Sequence, residues 1–169
     1  MNKAAAIAAE IPRLRRYARA LLRDAMEADD LVQDCLVRAL ANKSRWREGA
    51  SPRKWLFTIL HNLHVDEARR QKRQPRQVDL YSAETDRHLS SGHDVSGLLD
   101  IDDAIARLPG EQSEALLLVA LEGLSYAETA DVLGVPIGTV MSRIARARER
   151  LRQALYGEHG NKTPLKRVK

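Results

Sequence analysis

The sequence lacks several features that would place it in other classes of protein. A single cysteine, Cys35, excludes an intrachain disulfide and fits a reducing cytoplasm. No stretch approaches the roughly 20 apolar residues of a membrane span, and no apolar N-terminal segment ends in a cleavage site, so we expect no signal peptide. Aromatic residues make up 4% of the chain, and no run alternates like a β-strand. These absences predict an all-α protein.

Positive charge is what the chain has in excess. Its 169 residues include 28 lysines and arginines against 23 acidic residues, for a net charge of +5 and a pI near 9.6. A chain of this length buries one sizeable core or two small ones. The charge favours a polyanionic partner, although charge alone does not distinguish DNA from RNA or a membrane surface.

The segment 123–152 has the pattern of a helix-turn-helix and reads GLSYAETADVLGVPIGTVMSRIARARERLR. Ser125 and Glu128 have the spacing of a capping box at a helix start. Gly134 supplies the positive φ that a tight turn needs, and Pro136 fits the first turn of a second helix. That helix repeats apolar residues at helical spacing: Val140, Ile144, Ala147 and Leu151.

The opposite face of this second helix carries the candidate DNA-reading side chains, which are Thr139, Ser142, Arg143 and Arg146. A recognition helix enters the major groove by its N-terminal residues, while flanking cations meet phosphates. The alternative is an arginine-rich, solvated face on a bundle helix. Such a helix requires neither the capping box nor the turn glycine, and their coincidence favours nucleic-acid binding.

Three amphipathic helices are predicted upstream, at about 4–23, 29–42 and 52–73. Arginines on the outer face of the first helix either touch nucleic acid or are merely solvated. The second helix buries Cys35 as a small core residue. Its outer face carries acidic and amide side chains: Asp29, Asp30, Gln33 and Asp34. Asp29 and Asp30 are ordinary partners of the helix dipole. For Gln33 and Asp34, this local role and a docking surface for a basic partner are equally favoured.

The third helix and the loop before it form a second basic segment. Positions 43–76 hold ten lysines and arginines against three acidic residues. The helix dipole favours a cation in the last turn by well under about 1 kcal/mol, which is too little to explain so many. The charge then inverts, and seven acidic residues face one arginine between 79 and 103.

Residues 75–99 read as a flexible acidic linker between two small helical domains, the second of which contains the helix-turn-helix. As a relaxed coil, some 25 residues span about 28 Å. Fully extended, they reach at most about 85 Å. The basic tail, 158–169, has no apolar face and is predicted to be disordered.

No catalytic set is expected, nor any cofactor or metal site. None of the five histidines, at 61, 64, 88, 93 and 159, has further ligating residues beside it in the sequence at the spacing of a metal site. His61 and His64 stand three apart on the basic helix, where a phosphate neighbour or a solvated ring is the favoured interpretation.

Taken together, these segments resemble the extracytoplasmic-function group of bacterial RNA polymerase sigma factors. ADDLVQDCLVRAL is similar to the family's core-polymerase-binding helix, SPRKWLFTILHNLHVDEARRQKR to its promoter-melting helix, and the segment from LPGEQ to RARERL to its reader of the upstream box. The resemblance implies a region 2-like domain at 1–74, the linker at 75–99 and a region 4-like domain at 100–157.

The resemblance also implies roles for individual residues. Asp30, Gln33 and Asp34 would meet the clamp helices of core RNA polymerase. Asn62, with the loop before Pro52, would hold a flipped base of the −10 box, along which Asp66, Arg69 and Arg70 would lie. Thr139, Ser142, Arg143 and Arg146 would read the −35 box of promoter DNA. An anti-sigma factor is a further expected partner, whereas no small-molecule substrate and no membrane are expected.

Three other functions compete with this interpretation. A helix-turn-helix repressor with a sensing N-terminal domain needs no second basic surface. A sigma-like decoy that only binds an anti-sigma factor could lose Arg69, Arg70, Arg143 and Arg146, which are present here. An RNA-binding helical protein is disfavoured by the major-groove geometry.

Overall fold

The computed structural model describes residues 2–47, 49–73 and 101–156. Across these ranges the chain forms seven α-helices and no strand, so the all-α prediction is confirmed. None of these helices is long and apolar enough to cross a bilayer. The predicted linker (75–99) and tail (158–169) lie outside the described residues, as do three of the five histidines. In chain order the helices are α1 (Lys3–Leu22), α2 (Ala25–Ala41), α3 (Pro52–Arg73), α4 (Ile101–Ala106), α5 (Gly110–Ala120), α6 (Tyr126–Leu133) and α7 (Ile137–Tyr156).

Helices α1, α2 and α3 pack on one another as an N-terminal unit. Tyr17 of α1 meets Phe57 of α3 edge to face, with ring centroids 5.2 Å apart. Cys35 of α2 is fully buried, and its Sγ lies 3.5 Å from the carbonyl oxygen of Leu56. Burial raises the pKa of the Cys35 thiol to about 12. Cys35 is therefore an inert core residue, as predicted.

Helix α2 begins four residues earlier than its apolar pattern predicts. Asp24 caps it, because the Asp24 side chain accepts a hydrogen bond from the backbone N–H of Glu27 at 2.9 Å. Helix α3 has the predicted bounds, and Ser51 Oγ accepts from the N–H of Lys54 at 3.4 Å.

Helices α6 and α7 form the predicted helix-turn-helix. Ser125 Oγ accepts from Glu128 N–H at 3.2 Å, and Glu128 Oε2 accepts from Ser125 N–H at 2.9 Å, so the capping box is complete. Gly134 ends α6 in the left-handed region with φ of 63°. The apolar stripe of α7 faces inward at Val140, Ile144 and Ala147, with Leu151 partly buried.

The N-terminal unit packs directly on the C-terminal unit formed by α4–α7. Helix α5 contacts α1, and α6 contacts α3. The buried apolar side chains of both units form one continuous cluster. The two helical units therefore share one hydrophobic core.

Gly134→Ala is expected to lower the free energy of unfolding by about 1–2 kcal/mol, because an L-residue in the left-handed region crowds its own backbone. No atom lies within 4 Å of the Cβ that the substitution adds, so packing contributes nothing to this loss. Gly138→Ala is the matched control, since Gly138 is helical, has no positive φ and has equally open space. The control should raise stability by up to about 1 kcal/mol. Urea unfolding followed by circular dichroism measures both changes, and equal shifts of one sign would contradict this account.

Candidate nucleic-acid and partner surfaces

The N-terminal half of α7 presents a mixed polar and apolar surface to solvent. Ser142 and Arg146 are exposed, and Thr139 is half-buried. Ser142 Oγ donates to the carbonyl oxygen of Thr139 at 2.9 Å. Ile137 and Met141 beside them are 44% and 48% exposed, a pair that the sequence analysis did not single out. This end of α7 has the size and polarity to enter a major groove.

Arg143 is held differently from the other three candidate readers. Its Nη2 lies 2.7 Å from Glu111 Oε2 in the first turn of α5, and its side chain is only 19% exposed. Glu111 itself is 73% exposed, so solvent screens the pair, which is worth at most about 1 kcal/mol. A DNA phosphate can therefore compete with Glu111 for this guanidinium.

Helix α3 carries the candidate −10 residues on its outer surface. Asn62, Asp66 and Arg69 are all exposed, and their spacing places them on one face over successive turns. Arg70 is also exposed and pairs with Glu67 within the same helix at 2.9 Å. The C-terminal unit covers none of these four side chains.

The loop before α3 is organised around a buried tryptophan. Trp46 is 2% exposed and stacks on Trp55, with ring centroids 5.9 Å apart. Its Nε1 donates to the carbonyl oxygen of Ala50 at 3.0 Å, and Lys3 Nζ donates to the Trp46 carbonyl oxygen at 2.9 Å. Trp46 thus fixes the path of the loop and offers no free ring face to a base.

The outer face of α2 carries the three candidate polymerase contacts. Asp30, Gln33 and Asp34 are exposed, and Val37, one turn further on, is 66% exposed. Asp30 and Asp34 also line a groove of about 570 Å³ between α2 and α3. Acidic groups beside an exposed apolar side chain suit a basic partner that also buries some apolar surface.

The two histidines of α3 have a partner that the sequence did not indicate. His61 Nδ1 and His64 Nε2 lie 3.4 and 3.3 Å from the two carboxylate oxygens of Glu114 on α5. Their side chains are 13% and 26% exposed, so the prediction of a solvated ring is wrong. The reason is tertiary, since the C-terminal unit covers this face of α3. Within the described ranges, no group of three His, Cys, Asp or Glu residues could hold a metal ion.

Glu114 is itself perturbed by this arrangement. Burial raises the pKa of its carboxyl, but hydrogen bonds from His61 and His64 outweigh burial and bring the pKa to about 2. Sequence reasoning missed Glu114, and it also missed Glu122, which is 1% exposed. The sequence offered one indication of their burial, because the two carboxylates lie about two turns apart at the ends of the otherwise apolar segment 114–122.

Two family models match the chain in the order of its two units. The sigma2 domain of PhyR matches residues 7–61, and sigma-70 region 4 matches residues 98–151. The first match lies within α1–α3, and the second covers α6 and α7 up to residue 151.

Individual relatives match across both units. The chain is 40% identical to the ECF RNA polymerase sigma factor EcfG of Rhodopseudomonas palustris, over 89% of this chain and 83% of that protein. It is 39% identical to the ECF sigma factor SigC of Mycobacterium tuberculosis, over 78% of this chain and 72% of that protein. Among solved structures, the sigma factor RpoE of Bartonella quintana, in complex with the anti-sigma factor NepR, superposes with a TM-score of 0.69 at 33% identity, over 85% of this chain and 90% of that chain.

The Glu114 carboxyl is expected to titrate near a pKa of about 2, below its ordinary value of 4.5. A depressed pKa in the folded state means that the stabilisation is complete above pH 4.5 and is lost as the pH falls toward 2. The difference corresponds to about 3 kcal/mol. Carbon-13 NMR of the side-chain carboxyl measures the titration directly.

A double substitution, His61→Leu with His64→Leu, is the control for the cause of this shift. It keeps Glu114 covered and removes both hydrogen-bond donors, so the pKa should rise above 4.5. A pKa that stayed near 2 in the double variant would show that the histidines are not responsible.

Proposed function

Because this chain belongs to the extracytoplasmic-function (ECF) family of RNA polymerase sigma factors, we propose that it divides promoter recognition between two surfaces. It is an alternative sigma factor for transcription initiation, in which α7 reads the −35 box and α3 engages the melted −10 box. One observation carries the proposal: a single chain has both the exposed end of α7 and the exposed face of α3, on units that match region 4 and sigma2.

The C-terminal unit suits double-stranded DNA. Ser142 and Arg146 project from the N-terminal half of a recognition helix whose start is fixed by the Gly134 turn. An arginine that forks onto a guanine edge discriminates against the wrong base by about 1–3 kcal/mol. Arg143 joins them when a phosphate or base edge displaces Glu111, while Thr139 lies at the rim of the contact.

The N-terminal unit suits a single strand. Asn62 offers both donor and acceptor atoms to the edge of an unstacked base, and Arg69 and Arg70 lie further along α3 to follow the backbone. Asp66 stands between them and restricts which base edges fit. The Trp46 loop packs at the N-terminal end of α3, where Trp46 stacks on Trp55 and so does not stack on the base.

Core RNA polymerase binds the outer face of α2 in this proposal, through Asp30, Gln33 and Asp34. The polymerase carries the chemistry of transcription, and the sigma factor works beside it in the cytoplasm. An anti-sigma factor is the expected negative partner, because a related sigma factor has been solved in complex with NepR. Such a partner would act by covering the polymerase-binding face.

The decoy alternative is favoured by one specific observation, namely that the N-terminal unit matches the sigma2 domain of PhyR. A PhyR solved with NepR is described as an anti-anti-sigma factor, but at 17% identity that likeness shows the fold alone. The relatives at 39–40% identity are sigma factors. Transcription with purified core enzyme separates the two functions, since a decoy initiates nothing.

Arg146→Ala is expected to reduce initiation from promoters with a −35 box by about 10–100-fold, the loss of one arginine–guanine fork. The measurement is in vitro transcription with purified core polymerase on a library of random promoters, which also reveals both boxes. The selected −35 positions should lose information in the variant, while the −10 positions keep it.

Arg148→Ala is the matched control on the same helix. Two residues on an α-helix are about 200° apart, so the exposed Arg148 lies on the far flank from Arg146. Its removal should change initiation by less than about threefold, the range of a screened surface charge. If the two variants choose boxes equally well, α7 does not read the −35 box through Arg146.

Asn62→Ala is expected to slow strand separation and leave −35 binding intact. The loss should be of the order of one unstacked-base contact, about 1–3 kcal/mol or tenfold to a hundredfold in open-complex formation. Fluorescence of 2-aminopurine in the −10 box of polymerase–promoter complexes follows the opening. A promoter with a premelted −10 bubble is the control, since it should rescue most of the defect; an equal defect on that template would place the fault elsewhere.

A further inference from the structure

The first two turns of α7 expose two large apolar side chains beside the polar candidates for DNA reading. Ile137 and Met141 are 44% and 48% exposed. They stand four residues apart, so they lie one above the other on the same side of the helix. The buried stripe of α7 is supplied by other residues, and neither side chain is needed to fill the core. Both therefore present apolar atoms to solvent at the end of α7 that, in the proposed function, enters DNA.

The surroundings of Met141 on the helix surface are entirely apolar. The surface neighbours of a helical side chain are the residues three and four positions away, and for Met141 these are Ile137, Gly138, Ile144 and Ala145. No charged side chain at these positions can fold over it. Nothing lies within 4 Å of the place where a Cβ on Gly138 would stand. The surface around Met141 is therefore open to a ligand.

The helix surface changes from apolar to polar between Met141 and Ser142. The surface neighbours of Ser142 include Thr139 and Arg146, and its hydroxyl bonds to the Thr139 carbonyl oxygen at 2.9 Å. We define the apolar edge of α7 as Ile137 and Met141, and the polar edge as Thr139, Ser142 and Arg146. A major groove about 12 Å wide admits a whole helix, so the two continuous edges would meet base pairs of the same box.

Met26 shows how the apolar edge differs from an ordinary exposed residue. It is 77% exposed at the start of α2, and its surface neighbours include Arg23, Asp29 and Asp30. A single exposed apolar side chain in such a setting is common on protein surfaces. The apolar edge instead has two adjoining members, and neither has a charged residue three or four positions away. Its composition therefore suits an apolar ligand group.

Thymine is the base that an apolar edge in the major groove recognises. Adenine, guanine and cytosine present hydrogen-bond donors and acceptors there, whereas thymine also presents its C5 methyl group. An apolar side chain gains by burying that methyl group. Against a polar base edge it would only displace water without replacing the lost hydrogen bonds. The two edges of α7 thus suit different bases.

We propose that Ile137 and Met141 contact the C5 methyl groups of thymines in the −35 box and so select A·T pairs at those positions. The proposal rests on the function proposed above, because it names bases that the same end of α7 recognises. The two side chains stand about 6 Å apart along the helix axis, which is roughly two base-pair steps. Two selected thymines, close together in the box, are therefore expected.

The test removes single methyl groups from the promoter. Deoxyuridine pairs as thymine does and lacks only the C5 methyl group. The probe is a promoter that the parent protein and purified core polymerase select from the random library, resynthesised with each −35 thymine of either strand replaced in turn. It competes with the unmodified promoter in one reaction that yields transcripts of two lengths. We expect about a fourfold preference for thymine at two positions, the factor for one buried methyl group. Thymines between the two boxes should show no preference.

Variants of the apolar edge assign the contacts. Met141→Ala should abolish the preference at one position, and the double variant Ile137→Ala with Met141→Ala should abolish it at both. Met141→Leu should keep it, because leucine is also apolar. Met26→Ala is the matched control, since it removes the same side chain from an exposed site on α2. It should leave both preferences at about fourfold. Alanine has the highest helix propensity, so the variants are expected to fold, which circular dichroism checks.

Three results would overturn the thymine contacts. They are a selected −35 box without A·T pairs, a box whose thymines tolerate deoxyuridine in the parent, and a preference that persists in the double variant. If the double variant initiates less on both promoters and keeps the preference, the apolar edge binds a protein and not DNA. Absence of any initiation by the parent with core polymerase is a different result, because it removes the proposed function and these contacts with it.

Discussion

The side chain of Glu122 is a buried carboxylate at the contact between the two units. It is buried against α1, its charge is met by arginines from the other unit, and one of its oxygens has no hydrogen-bond partner. Water would satisfy this group fully if the units separated, whereas their contact satisfies it only in part. The contact between the units therefore combines a continuous apolar core with a buried carboxylate whose hydrogen bonding is incomplete.

Helix α3 connects the contact between the units to the candidate −10 surface. Its inner face holds His61 and His64 against Glu114, and its outer face exposes Asn62 and the arginines near its C-terminus. Because adjacent residues of one helix point in different directions, a shift of α5 acts on the same rigid element that would hold the flipped base. In the proposed function, this arrangement would link the contact between the units to −10 recognition without any change of secondary structure.

Local signals in the sequence were sufficient for most of the fold. The Ser125–Glu128 capping box, the Gly134 turn and the bounds of α3 depend on residues within a few positions of each other, and the structure has all three. The surface position of Ser142, Arg146, Asn62 and Asp66 likewise follows from helical periodicity. The start of α2 was predicted four residues too late, at about residue 29, because the apolar pattern does not reveal that the Asp24 side chain caps the helix.

What could not be predicted is the set of contacts between residues far apart in sequence. Arg16 and Glu122 are 106 positions apart, and no spacing rule pairs them. For the same reason, the sequence did not predict the contact of Arg143 with Glu111 or the burial of His61. A helix face exposed to solvent and a helix face covered by another unit have the same periodicity. Charge complementarity between a basic first unit and carboxylates in an apolar segment was the available signal, but it does not specify partners.

The contact between the two units also bears on why a sigma factor of this kind would depend on its polymerase. Extruding a base costs a few kcal/mol, and one stacking contact returns about 1–3 kcal/mol, so strand opening by the N-terminal unit alone roughly breaks even. Two boxes about two helical turns apart are roughly 70 Å from each other, whereas the linker predicted at 75–99 would span about 28 Å as a relaxed coil. Separating the units adds a further unfavourable step. In the proposed function, a polymerase that binds the outer face of α2 and holds the C-terminal unit elsewhere would remove both obstacles at once, because it would keep the units apart and the predicted linker extended before any base is extruded.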